Sequence, residues 1–110
     1  MILRHKMRLF ALIVAACIVG MVVFEPFKRL AFENANATFE ACENARKTET
    51  EAEACGDALD ALDTAISRYG NDDQAPVLLR NRAWVKYLLD DLEGSLSDTN
   101  ESVKLDPNSA

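Results

Sequence analysis

Past residue 30 the apolar side chains of this 110-residue chain recur every three or four positions, and β-branched residues do not alternate with polar ones. That period confines the chain to helices, because a helix brings residues three and four apart onto one face whereas a strand aligns every second residue. The clearest stretch is Cys55, Leu59, Leu62, Ile66 and Tyr69, spaced by four, three, four and three, with Ala54, Ala58, Ala61 and Ala65 on the adjacent face. Large side chains on one face and small ones on the next let neighbouring helices approach to different distances, as stacked helical hairpins require.

Punctuation divides the stretch into four helices. Residues 30–47 are rich in Ala and Glu, with Phe39, Cys42 and Ala45 along one side. Thr48-Glu49-Thr50-Glu51 offers a capping box, Thr48 as N-cap and Glu51 reaching back, for a second helix that runs to Tyr69. Gly70 is read as its left-handed stop. Asn71-Asp72-Asp73-Gln74 is a polar turn, and Pro76 falls in the first turn of a third helix over 77–89. Asp90-Asp91 leads into a fourth helix over 92–104, whose stripe Leu92, Leu96, Thr99 and Val103 is expected to be buried. The fold class is therefore all-α: antiparallel hairpins over 30–75 and 76–110, behind a leader at 1–29.

In the first hairpin, Cys42 precedes the turn at Thr48 by about as many residues as Cys55 follows it, so an antiparallel pairing brings both to one level. A disulfide between them is the expectation in an oxidising compartment, where closing a loop of this size is worth on the order of 3 kcal/mol; two buried free thiols are the alternative. The pair is not spaced C-x-x-C, which argues against redox activity, and two Cys with no nearby His do not make a metal site.

The leader joins a basic start (Arg4, Lys6, Arg8) to an uninterrupted apolar run of 16 residues at 9–24. As a helix the run is about 24 Å long, short of the ~30 Å hydrocarbon core unless Phe27 and snorkelling Arg8, Lys28 and Arg29 extend it. Glu25-Pro26-Phe27-Lys28-Arg29 follows it in place of the small residues a signal peptidase needs, and the A-x-A at Ala35-Asn36-Ala37 lies further on. An uncleaved membrane anchor is favoured, with the basic start in the cytoplasm and the helical domain on the extracytoplasmic side, the periplasm in a bacterium. A domain secreted after cleavage is the alternative. Val14-Ala15-Ala16-Cys17 also looks like a lipobox, although the sequence after Cys17 stays apolar where a lipoprotein usually begins a polar tether.

The second hairpin carries Asn81-Arg82-Ala83 in its first helix, Asp91-Leu92-Glu93 opening its second, Asp98 within that helix, and the exit Leu105-Asp106-Pro107-Asn108. Over about 34 residues it resembles a tetratricopeptide repeat, and 58–66 resembles the second helix of another. The first hairpin is then a divergent, capping repeat. Ala83, Ser95 and Ser102 stand where that family places small residues for close helix contact, while Lys86 stands where an aromatic is usual and Tyr87 follows one place later. The resemblance implies an α-solenoid fragment whose first helices line a concave, ligand-facing surface. On the third helix Arg80, Asn81, Trp84 and Tyr87 or Leu88 are the candidates, Asn for a peptide backbone and Arg for a carboxylate. The competing readings are Trp84 as core, Arg80 as a solvated charge, and Asn81-Arg82 as packing within the repeat.

Charge narrows the partners. The first 29 residues hold five Lys/Arg against one Glu, so with −6 for the whole chain residues 30–110 carry −10. Such a domain repels phosphates, which disfavours nucleic acid and favours protein or peptide partners with basic or amphipathic surfaces. His5, in the leader, is the only histidine, and no Gly-rich phosphate loop or nucleophile-with-base pattern is present. The sequence therefore predicts no enzyme, no catalytic residue, no metal and no cofactor. Two functions remain: an anchored interaction module, or a structural subunit of a membrane complex assembled through the apolar segment. Homo-oligomerisation, or stacking on a partner's repeats, would cover the open end of a two-hairpin array. Asn36-Ala37-Thr38 and Asn100-Glu101-Ser102 match the glycan acceptor pattern, the second inside a predicted helix.

Overall fold

The computed structural model describes residues 26–109. Most of that length is in four helices: α1 over 26–44, α2 (Glu51–Tyr69), α3 (Ala75–Leu88) and α4 (Leu92–Leu105), followed by a 3-10 turn at Pro107–Ser109. No strand occurs among the described residues, and Ala31–Ala110 forms one compact unit. The apolar run at 9–24, with Cys17, lies outside the described residues, as does His5; no helix among those described is long and apolar enough to cross a membrane.

Contacts between successive helices run in descending register. Cys42 meets Cys55 and Phe32 meets Tyr69 across α1 and α2; Asp63 meets Arg82 across α2 and α3; Arg82 meets Asp98 and Pro76 meets Ser102 across α3 and α4. α1 and α2 are therefore antiparallel, as are α3 and α4, and a short turn at 70–74 joins α2 to α3. The first helices of the two hairpins, α1 and α3, meet where Trp84 approaches Glu43 and Arg46.

The apolar core is assembled from three helices. Phe32, Ala35 and Cys42 come from α1, Cys55, Ala58, Leu62 and Ala65 from α2, and Leu78 and Val85 from α3. Phe39, Leu59, Ile66, Tyr69, Leu88 and Leu89 pack around them. Both faces expected of the second helix are used. Its alanines at 58 and 65 let the neighbouring backbones close in, and Leu62 fills the centre with no exposed surface. The sulfurs of Cys42 and Cys55 lie 2.01 Å apart, at disulfide-bonding distance, with both residues fully buried.

Helix α4 departs from its expected orientation. Leu92 and Leu96 are each 62% exposed, Val103 is 39% exposed and Thr99 is also on the surface. The buried residues of this helix are Asp98 and Ser102. At 100° per residue the inward pair lies roughly 110° around the helix from the apolar stripe. The carboxylate decides the rotation: Asp98 receives Arg82 Nε and Nη2 at 2.7 Å each and Lys86 Nζ at 3.0 Å, and Ser102 donates to the Pro76 carbonyl at 2.8 Å. Turning the stripe inward would take the Asp98 carboxylate away from Arg82 and Lys86 and the Ser102 hydroxyl away from the Pro76 carbonyl.

Two further expectations are corrected at the turns. The Thr48 capping box does not form: α2 has Thr50 at its N-cap with no side-chain cap, Thr48 Oγ1 donates to Ala45 O, and Glu51 Oε2 accepts from Lys47 N at 2.6 Å. Gly70 is right-handed, at φ −65°, and not left-handed. A side chain there would sit 2.6 Å from the Ile66 carbonyl oxygen, so close approach accounts for the glycine. Among the described residues the left-handed positions are Lys47 (φ 62°) and Asp90 (φ 66°). At Asp90 the bonds Asp91 N to Lys86 O, 2.8 Å, and Asp90 N to Tyr87 O, 3.1 Å, end α3 in a Schellman arrangement, and Asp91 then caps α4 by accepting from Gly94 N at 2.9 Å.

Candidate functional site

The four candidates from the sequence, Arg80, Asn81, Trp84 and Tyr87, all lie on α3, whose apolar positions Leu78 and Val85 hold it against α1 and α2. That anchorage turns Trp84 and Tyr87 outward, toward the end of α1. Trp84 is half-buried, and its indole Nε1–H donates to Glu43 Oε1. The Arg46 guanidinium sits over the indole ring at 5.2 Å from its centroid. Tyr87 stacks on Trp84 with centroids 5.5 Å apart and planes 19° from parallel, and remains 52% exposed. Arg46 and Glu43 also approach each other, at 3.6 Å.

These contacts make a shelf of two stacked aromatic rings, with the Arg46 cation over the indole and the Glu43 carboxylate at its N–H edge. Stacking contributes about 0.5–1.5 kcal/mol and an exposed cation–π contact about 0.5–1 kcal/mol, so the shelf is held in place before anything binds to it. It can offer a flat π surface, a guanidinium and hydrogen-bonding edges to a ligand. Arg80, exposed, lies one helical turn before Trp84, and Asn81 is half-buried. Leu88 packs against the core, leaving Tyr87 as the outward-facing member of the pair.

Sequence reasoning missed Glu43 and Arg46. They are separated from Trp84 by about forty residues and belong to a hairpin whose first helix carries little of the repeat pattern, so nothing local marks them.

Arg82 does a different job from its neighbours. It forks onto Asp98 and reaches Asp63 Oδ1 at 3.1 Å, tying α2, α3 and α4 together. Burial pushes the Asp98 carboxyl up, but hydrogen bonds from Arg82 and Lys86 and their charges outweigh it and hold the group below the usual carboxylate range. Its hydrogen bond to Asp98, working against burial, raises the Arg82 guanidinium in turn. Lys86 is the second cation on Asp98.

A recess of about 350 Å³ opens between the turn at 70–76 and the end of α4, and no sequence-predicted site residue lines it. Two of its three carboxylates are engaged locally: Asp72 accepts from Gln74 N and Asp106 from Asn108 N, at 3.0 and 3.1 Å. Among the described residues no group of His, Cys, Asp or Glu is arranged to hold a metal ion. No protein-family model, no curated protein and no solved structure matches the chain, so its role has to be read from its own geometry.

Proposed function

We propose that the chain is a membrane-anchored interaction module of tetratricopeptide-repeat type that binds a protein or peptide on the extracytoplasmic side through the face shared by α1 and α3. The observation that carries this reading is the Trp84–Tyr87 shelf. A tryptophan kept out of the core, stacked on an exposed tyrosine and flanked by Arg46 and Glu43, has the composition of a binding hot spot. The four-helix architecture, and close helix contact at Ala83 and Ser102, both buried, support the repeat assignment. The Cys42–Cys55 pair at bonding distance favours an oxidising compartment.

A photo-crosslinking amino acid placed at Tyr87 in the full chain, in its native membrane, tests this. Adducts with a defined protein at Tyr87 and at Arg46, and none at Ser67 on the exposed side of α2, are expected. Loss of the Tyr87 adduct on Trp84→Ala, with the melting temperature preserved, assigns the shelf to the ligand. Equal yields at Tyr87 and Ser67 would reject it. So would a Tyr87 adduct that vanishes when residues 9–24 are exchanged for an unrelated span that still inserts, because assembly would then run through the apolar segment.

A further inference from the structure

Glu43 and Arg46, the acid and the cation of the Trp84–Tyr87 shelf, both lie inside the loop that the Cys42–Cys55 link closes. Glu43 directly follows Cys42, and Arg46 stands in the turn just past the end of α1. Between Phe39 and Leu59 the side chains that this hairpin buries are Cys42, Ala45, Cys55 and Ala58, none of them large. Short side chains remove little apolar area from water, so packing contributes least at the end of the hairpin that carries the shelf.

The turn keeps its own shape through local bonds, Thr48 Oγ1 to Ala45 O and Lys47 N to Glu51 Oε2. Those bonds join the turn to itself and not to α3. Thr50, at the N-cap of α2, makes no side-chain cap, which leaves the first turn of that helix weakly held. Taking the shelf as the binding face proposed above, we infer that the Cys42–Cys55 link is its positioning device: it carries Glu43 and Arg46 to Trp84 and confines partner binding there to the oxidised chain. A dithiol reductant breaks the S–S bond, its two electrons and two protons leaving thiols on Cys42 and Cys55 while it closes to its own disulfide. The end of α1 and the first turn of α2 then open, and Glu43 and Arg46 leave the indole, while Leu62, Leu78 and Val85 keep the rest of the core packed.

Trp84 is the only tryptophan of the chain, so its emission reports on the shelf without any partner. The full chain in phosphatidylcholine nanodiscs is compared oxidised and after dithiothreitol, with peptide mapping of alkylated Cys42 and Cys55 to prove reduction. Reduction is expected to red-shift Trp84 emission, raise its quenching by acrylamide, and quicken hydrogen exchange over 42–55 while α3 and α4 keep their protection. In an oxidised Glu43→Ala, Arg46→Ala variant, Trp84 should start at the values of the reduced chain, and reduction should add nothing further. The photo-crosslinked adduct at Tyr87 should be lost on reduction and in a Cys42→Ala, Cys55→Ala variant, which spares any disulfide of the partner. An unchanged Trp84 in chain shown to be reduced would overturn the inference. So would a full further change on reducing the Glu43→Ala, Arg46→Ala variant, or protection lost equally from every helix, since the link would then support the whole domain. Equal Tyr87 adducts with and without the link overturn it too, and leave the interaction face standing. A responsive Trp84 with no Tyr87 adduct even in the oxidised chain rejects the interaction face itself, and the confinement of binding with it.

Discussion

The two seams of this small domain differ in what the packed helix buries. Where α1, α2 and α3 meet, nine buried residues form one apolar cluster. Where α4 meets α3, the buried groups on α4 are a carboxylate and a hydroxyl. The apolar seam is non-directional and gains with every square ångström removed from water, so it tolerates small adjustments of position. The polar seam works only at one rotation of α4, since the buried Asp98 carboxylate meets Arg82 and Lys86 only there. Stability is concentrated in the first seam and rotational specificity in the second. The second also leaves the leucines of α4 on the surface.

The contrast breaks most visibly at Leu62, which has no exposed surface and sits at the centre of the three-helix cluster. Leu62→Ala removes buried methyl groups and leaves a cavity, for a loss of about 2–5 kcal/mol. Much of a small domain's stability goes with it, so urea denaturation should show all four helices lost together at a much lower midpoint.

The Cys42–Cys55 link belongs to the same seam. Its sequence separation of 13 puts the loop-closure contribution at about 3 kcal/mol, lost on reduction. Denaturation with and without reductant measures it. A Cys42→Ser, Cys55→Ser double variant that melts like the oxidised protein would mean that the link adds nothing to the packing around it.

Asp98→Asn probes the other seam. It leaves Arg82 with Asp63 alone and Lys86 without its buried partner, at a cost of roughly 2 kcal/mol, less than for a fully buried pair because Asp63 remains. Hydrogen exchange should quicken over 92–105 while α2 keeps its protection; equal acceleration everywhere would mean that the seams are not separable. The same group sets a pH dependence. Its folded value lies below the ordinary 3.8, so its contribution is complete above that value and disappears as pH falls through the lowered one. Wild type and Asp98→Asn should therefore differ most near neutrality and converge in acid.

How much of this was legible in advance follows the same division. Helix α2 was, because Cys55, Leu59, Leu62, Ile66 and Tyr69 bury through the effect that generates sequence periodicity. Pro76, buried in the first turn of α3, and the pairing of Cys42 with Cys55 followed from chain chemistry and hairpin counting. The rotation of α4 was not. Leu92, Leu96, Thr99 and Val103 score as an inward stripe, and only the spatial meeting of Asp98 with two cations from another helix overrides it. Likewise Arg80, Asn81, Trp84 and Tyr87 could be placed on one helix by spacing, but the acid and the cation around Trp84 come from the end of α1, which no local pattern connects to it.

The smallest effects belong to the turn that leads into α4. Asp91 accepts from Gly94 N, and a side chain at Gly94 would crowd the Asp91 carboxylate and Lys86 Cδ. Asp91→Ala should cost about 1 kcal/mol. The loss should register as faster exchange in the first turn of α4, with the core amides unmoved. Asp90 tests the same turn from the other direction. Its φ of 66° is left-handed, a conformation that Gly adopts without the Cβ penalty. Asp90→Gly keeps the Schellman bonds to Lys86 and Tyr87 and relieves that penalty, while the more flexible unfolded chain takes part of the gain back, leaving a rise of a few tenths of a kcal/mol. A fall in stability on Asp90→Gly would show that the Asp90 side chain itself holds the turn, and that α4 is oriented from its N-terminus as much as from Asp98.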